Sequence, residues 1–531
     1  MKAKVIFLDQ LLITIMKRIF HFLLLILILI FWSSCRNDFD FSPSTGNLEF
    51  SRDTIYLDTV FNNIGSSTYN LKVYNRSDED ISIPTVKLAE GQASSYRLNL
   101  DGIAGKEFNN VELLANDSLF IFIETTADIQ SLAQNELEFL YTDVIEFDSG
   151  SNFQKVDLVT LVKDAVFIFP DQDNTGQIET LTFDADGDGV VDQTNLQGRF
   201  LLPEELTFTN QKPYVIYGFA AVDDGDVLNI EAGARVHFHA NSGLLVTNNA
   251  SLKVNGQLST DRELLENEVI FEGDRLEPEF SNVPGQWSAI YLFNGSIENE
   301  INYATIKNAT VGILAEGNQN EQEPKLKITN SQIYNSSNFG ILGRATSITA
   351  ENIVINSSGQ SSFAGTLGGN YDFTFCTLTN YWNNSFRQFP SVLLNNFQEV
   401  DENTIEINTL ERANFTNCII FGNDNPEFIL DEIPGADFNF KFTNCLLRFE
   451  SNNNFTGLNY DFSNAELYQD CIFNENPDFR EPFQNEMIIG ENSAANGEAL
   501  IIDDINVDIL GELRNSTPDI GAYENTIFDQ N

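Results

Sequence analysis

Hydrophobic and polar positions alternate along most of this chain, and the alternation changes character once. Between residues 46 and 165, TIYLDTVF, STYNLKVYNRS, ISIPTVKL, SYRLNL and SLFIFIETT each run to a polar turn. Short alternating strands spaced in this way predict an antiparallel sandwich. Residues 166–220 interrupt the pattern with FPDQDNTGQ, DADGDGVVD and the proline-bearing FTNQKPYVIYGF, and read as a linker. Beyond them LNIEAGARVHFHANSGLLVTNNASLKVNGQL alternates again, now turning on Gly or Asn. NYATIKNATVGILAEG, LKITNSQIYNSSNFGILG and ITAENIVINSSG follow the same rule. Periods of roughly 20 to 27 residues with such turns predict a solenoid over residues 221–531, of about a dozen coils.

The clearest repeat lies late. NFTNCIIFG, KFTNCLLRFE and LYQDCIFNE place Cys418, Cys445 and Cys471 at one equivalent position, after Asn417, Asn444 and Asp470. A position repeated once per coil stacks its side chain ~4.8 Å from the one below. With Cys376, these thiols read as an interior column of small apolar side chains. No CxxC or Cys/His spacing suggests zinc. One stretch, residues 381–412, does not fit a coil and reads as an insertion. Its Tyr381, Trp382, Arg387 and Phe389, with Phe386 beside them, are residue types that dominate binding hot spots, so a partner surface is expected there.

IEAGARVHF, then LKVNG and PGQWSAI, resemble the opening coils of secreted right-handed parallel β-helix proteins of the pectate-lyase-like superfamily. RNSTPDIGAYE, residues 514–524, resembles a closing motif at the C-terminus of such chains. NLKVYNRSDEDISIPTVKL followed by LLANDSLFIFIETT is similar to the immunoglobulin-like modules found beside bacterial β-helices. The expected fold class is all-β: an Ig-like sandwich (46–165), a linker (166–220) and a right-handed parallel β-helix (221–531).

The N-terminal apolar run, Phe22 to Trp32, falls short of the ~20 residues a spanning helix needs. Lys17 and Arg18 precede it and small residues end it, the layout of a signal peptide. FWSSC resembles a bacterial lipobox, with Trp32 where leucine is usual. In that family the cysteine, here Cys35, is acylated and becomes the first residue. RNDFDF resembles the acidic export tag of Bacteroidetes-type surface lipoproteins. Residues 1–34 are thus expected to be a signal peptide and 35–45 a lipidated tether, which implies an outer-membrane, surface-exposed protein. Several acyl chains, at about 0.8 kcal/mol per buried methylene, anchor firmly.

Charge narrows the partners. Removing residues 1–34 takes away Lys2, Lys4, Lys17, Arg18 and Asp9, which leaves 25 basic and 77 acidic residues and a net charge of −52. Such a surface repels phosphate backbones, which argues against nucleic acid as a partner. It also repels polyanionic sugars unless calcium intervenes. Asp184, Asp186, Asp188 and Asp192, with Gly189 and the Val190 carbonyl, follow the D-x-D-x-D-G-x-x-D pattern of a calcium loop, with Asn195 where an acid usually closes it.

His237 and His239 share one strand face with no third metal ligand evident, and read as an exposed pair. Beyond residue 346 the basic residues form no repeated Asp/Arg set, so no catalytic residue is assigned. Thr54, Thr59 and Ser118 sit in Asp-Ser/Thr-apolar triplets that resemble the O-glycosylation sequence of the same bacteria. The expected role is a non-enzymatic binding or scaffold lipoprotein, as in an outer-membrane assembly or export complex. The alternative is a polysaccharide lyase or hydrolase, or a glycan-binding adhesin.

Two measurements check these expectations. A fatty-acid probe should label the exported protein and fail to label Cys35→Ala. Calcium should raise the melting temperature and a chelator should reverse the gain. Asp186→Ala with Asp188→Ala should show neither effect.

Overall fold

The computed structural model describes residue 16 and residues 41–132, 136–184, 190–317, 323–401, 404–450, 455 and 457–528. Cys35, Asp186 and Asp188 lie outside the described residues. The chain is nearly all β and falls into two compact units. One comprises residues up to 57, 65–127 and 140–160; the other comprises 58–64, 128–139 and 161 onward.

The first unit is built on two largely antiparallel sheets, of six and five strands among the described residues. Strict alternation makes them: in Ser118–Thr125, Leu119, Ile121 and Ile123 point inward while Phe120 and Phe122 face solvent. Thr54 and Ser118 lie half-buried on its strands, and Thr59, likewise half-buried, continues the strand of Thr54 into the second unit's residues.

The second unit holds three parallel sheets, of eleven, ten and ten strands among the described residues. The chain visits them in rotation, so most strands pair with the one three places later. The inward column Val236, Phe271, Ile306, Ile333, Ile355, Leu378, Ile420, Leu447 and Phe473 shows the register held across nine strands. Such stacking buries one continuous apolar interior, the core of this unit.

The winding begins earlier than the sequence suggests. Val166–Ile168, Asp192–Phe200, Thr207–Phe208 and Tyr214–Ile216 already belong to the three sheets, so residues 166–220 are coil and not linker. The acidic loop joins Thr180–Phe183 to Asp192–Phe200, an antiparallel hairpin whose Leu181 and Phe183 pack on Phe219, Ala221 and Leu245.

One backbone feature recurs where the third sheet passes to the first. Tyr303, Asn330, Asn352, Phe375, Asn417, Asn444 and Asp470 all have left-handed φ, between 44° and 56°. Asn and Asp tolerate this region better than other side-chain-bearing residues, which explains the Asn-Cys repeat. The residue after each turn points inward, giving Ala304, Ser331, Ile353, Cys376, Cys418, Cys445 and Cys471. All but Cys471 are fully buried. The four cysteines are free thiols, and burial pushes Cys418 well above the usual thiol range. Each buried thiol donates to a carbonyl of the coil below, as Cys418 Sγ does to Phe373 O at 3.4 Å.

After Ile472–Phe473 the chain leaves the coils and returns along the outer face of the first sheet. Met487, Ile489, Ile509, Ile520, Ala522 and Tyr523 cover the outward-facing Val354, Ile419 and Leu446. The turn asparagines bind this strap: Asn444 Nδ2 donates to Glu498 O (2.8 Å), Asn417 Nδ2 to Leu500 O (2.9 Å) and Asn352 Nδ2 to Val507 O (3.1 Å). Farther back, Arg262 reaches Glu512 at 3.2 Å. The RNSTPDIGAYE motif belongs to the strap. Arg514 donates to Glu524 (2.9 Å), Gly521 O (3.0 Å) and Asn352 Oδ1 (2.9 Å), and lies 3.8 Å over the Phe375 ring. The motif therefore fastens the side of the coils.

Arg514→Ala should leave the nearly buried Glu524 without its cation, at a cost of about 3–5 kcal/mol. Chemical denaturation measures the loss, and limited proteolysis should then cut within residues 478–528.

Candidate functional site

Most coils pass from sheet to sheet in a few residues. The coil formed by Thr377–Asn380, Val392–Asn395 and Leu410–Thr416 does not. Residues 381–391 project before its middle strand and residues 396–409 after it. The expected single insertion over 381–412 is therefore two, and a regular strand of the second sheet runs between them.

The first projection is pinned from inside. Arg387 Nη2 and Nη1 donate to Glu427 Oε1 and Oε2 at 2.7 and 2.8 Å, and the two side chains are 3 % and 0 % exposed. Buried ions are costly unless their remaining lone pairs and protons are satisfied. Glu427 also accepts from Ser391 N (3.0 Å), Ser391 Oγ (2.9 Å) and Asp424 N (2.8 Å). Arg387 also donates to Phe389 O (2.8 Å), Asn380 O (3.2 Å) and Asn423 Oδ1 (3.0 Å).

Trp382 is buried, its Nε1 bonded to Ser385 Oγ at 3.0 Å. Tyr381 turns toward the strap and meets Phe479 and Phe483 edge-on. Three of the four side chains expected to meet a partner are thus engaged within the fold, because they fasten the projection. What the projection leaves outside is Phe386, 84 % exposed, and Phe389, 40 % exposed.

The second projection is a hairpin of Phe397–Asp401 and Thr404–Ile407. Asn396 fixes its base through two 2.9 Å bonds with the Ile433 backbone. Val400, Ile405 and Ile407 remain 58 %, 48 % and 38 % exposed. The alternating FQEV and TIEI about the polar DEN turn are its sequence signal, overlooked among the aromatics upstream. Nothing local in the sequence pairs Arg387 with Glu427.

Between the projections the outer face of the second sheet is a shallow apolar strip. Tyr291, Leu314, Leu342, Ala364, Leu393 and Ile429 follow one another in register, most of them half-buried. Glu316 borders it, bonded to Tyr291 Oη and Arg344, and Asp431 lies farther along. Burial raises the carboxyl pKa of Asp431. An apolar strip with protruding apolar residues at both ends of one strand can hold a partner by burial of area.

The other expected residues lie elsewhere. His237 is buried, not exposed, because the Phe61 ring packs on it at 4.9 Å, and it lines a cavity of about 430 Å³. Burial lowers its pKa, and its Nδ1 is 3.6 Å from Glu272. Of the other charges lining that cavity, Lys163 pairs with Glu138 at 2.9 Å and Lys212 with Asp164 at 2.7 Å, while Arg235 donates to backbone carbonyls. His239 is half-exposed and bonded to Asp274 at 2.8 Å. At the calcium-type loop, Asn248 Nδ2 donates to Asp184 O at 3.2 Å, and Val190 is exposed. Among the described residues no three His, Cys, Asp or Glu side chains gather as metal ligands, and no helix is long and apolar enough to cross a membrane.

No protein-family model matches the chain, and no curated protein matches it. Among solved structures it is similar to a family 123 glycoside hydrolase from Clostridium perfringens, described for glycolipid glycan hydrolysis. The identity is 11 %, over 21 % of this chain and 22 % of that one, with a TM-score of 0.15. It is also similar to the catalytic unit of a thermostable GH87 α-1,3-glucanase from Streptomyces thermodiastaticus. There the identity is 9 %, over 71 % of this chain and 62 % of that one, with a TM-score of 0.19. The chain spans less than two thirds of either, and at these TM-scores the likeness carries no argument.

Arg387→Ala should strand Glu427 as an unpaired buried charge and cost about 3–5 kcal/mol. Phe386→Ala should change stability by less than about 0.5 kcal/mol, as at other exposed positions. Denaturant melts of the two variants give the comparison.

Proposed function

We propose that this chain is a lipid-anchored surface lipoprotein that binds a partner protein without catalysing a reaction. Its fold in this reading is an Ig-like sandwich followed by a right-handed parallel β-helix, the hand that parallel crossover connections almost always take. It serves as a binding or scaffold part of an outer-membrane assembly, attached through acylated Cys35. A calcium ion at Asp184, Asp186, Asp188, Val190 and Asp192 would neutralise the tip of the first hairpin. Thr54, Thr59 and Ser118 are proposed glycan acceptors.

The observation that carries the reading is the coil of residues 377–416. A buried ion pair, bonded through both Nη atoms of Arg387 and both carboxylate oxygens of Glu427, holds one projection, and both projections expose apolar side chains beside an apolar strip. Stability alone asks for none of these exposed groups. Phe386, Phe389, Val400, Ile405 and Ile407 replace Tyr381, Trp382 and Arg387 as the contact residues.

Co-purification from detergent-solubilised membranes tests it. Phe386→Ser and Ile405→Ser should leave the melting temperature unchanged and sharply deplete a protein that co-purifies with the unaltered chain. Undiminished co-purification in both variants would remove this face from the proposal.

A further inference from the structure

The hairpin Phe397–Asp401 with Thr404–Ile407 forms a two-stranded sheet. Among the described residues its strands pair with each other and with no third strand. Such a hairpin is marginal on its own in water. Phe397 pairs with Ile407 and Glu399 with Ile405, so these four side chains share one largely apolar face, with Phe397 half-buried and the other three exposed. The strand Thr404–Ile407 is exposed at every residue, and among the described residues no strand pairs with its outer edge, the kind of edge that can take up another strand. The run 397–407 carries Glu399, Asp401, Glu402 and Glu406 and no Lys or Arg.

Acids and a bulge on an edge are also how proteins keep strands from pairing. That accounts for Glu399, Glu406 and the register shift between Glu399 and Asp401. It does not account for Val400, Ile405 and Ile407, because polar residues would serve protection better.

We propose that the Thr404–Ile407 edge accepts a strand from the partner: an extended segment in which Lys or Arg alternates with apolar residues. The inference rests on the binding role above and specifies its mode. Main-chain bonds along the edge would supply affinity, and the alternating side chains specificity. Apolar residues of the added strand would fall on the face of Ile405 and Ile407. Its cations would fall on the other face, beside Glu406.

Hydrogen exchange of the full mature chain provides the test, with three nine-residue peptides as probes. The first alternates Lys and Val, the second alternates Glu and Val, and the third is the first with prolines at three Val positions. The Lys–Val peptide should slow exchange at residues 404–407 by about tenfold or more. The other two should not, since one carries the wrong charge and the other cannot donate along the edge. Ile405→Asp should abolish the protection with an unchanged melting temperature.

No protection by the Lys–Val peptide, or equal protection by all three, overturns strand addition. That result together with depletion of the partner in Phe386→Ser overturns the mode and leaves the binding face standing. Undiminished co-purification in both serine variants overturns the face itself.

Discussion

The left-handed turn between the third and first parallel sheets recurs at Tyr303, Asn330, Asn352, Phe375, Asn417, Asn444 and Asp470, and it governs more than direction. With one such residue at the same place in successive coils, every coil closes over the last without drift, and the interior columns stay in register. The next residue then always points inward, where only a small or compact side chain fits, hence alanine, serine, isoleucine and the thiols. At Asn352, Asn417 and Asn444 the turn side chain bonds to the strap's backbone. Core, corner and covering segment thus rest on one dihedral preference. Where the turn residue is not Asn or Asp the strain needs another offset, and the buried Phe375 ring finds one beneath Arg514.

The coil of residues 377–416 follows different physics. Interior packing fixes its three strands, yet it gives no hold on the segments between them. The first projection is held by charge: a guanidinium and a carboxylate removed from water, each bonded by several groups from neighbouring turns. The second is held by amide bonds at its root and little beyond. One side of the face is therefore stiff and the other compliant. That asymmetry suits a contact in which one partner element docks and another is shaped on arrival.

Periodicity made the all-β class, the antiparallel first unit and the parallel winding legible, because each depends on which residues alternate. The Asn-Cys repeat even marked the corner. The start of the winding was hidden because Asp, Pro and Gln in residues 166–220 look like a linker when their strands are short and their pairing partners lie far along the chain. The roles of Trp382 and Arg387 were hidden for a related reason. Aromatic and arginine side chains serve a surface or an interior equally well, and here Glu427, forty positions away, decides. The strap's destination was likewise unreadable, since RNSTPDIGAYE shows no period and its bonds go to Asn352 and Phe375.

A solenoid ordinarily frays from its ends, since each repeat touches only its neighbours. The returning segment alters that. By joining Asn444, Asn417, Asn352 and Arg262 it ties coils far apart in the stack into one cooperative block. It also follows every coil it binds along the chain. The coils can wind as they emerge, but they cannot be locked until residues 498–524 have followed them, so winding and fastening are separate events in the making of the molecule.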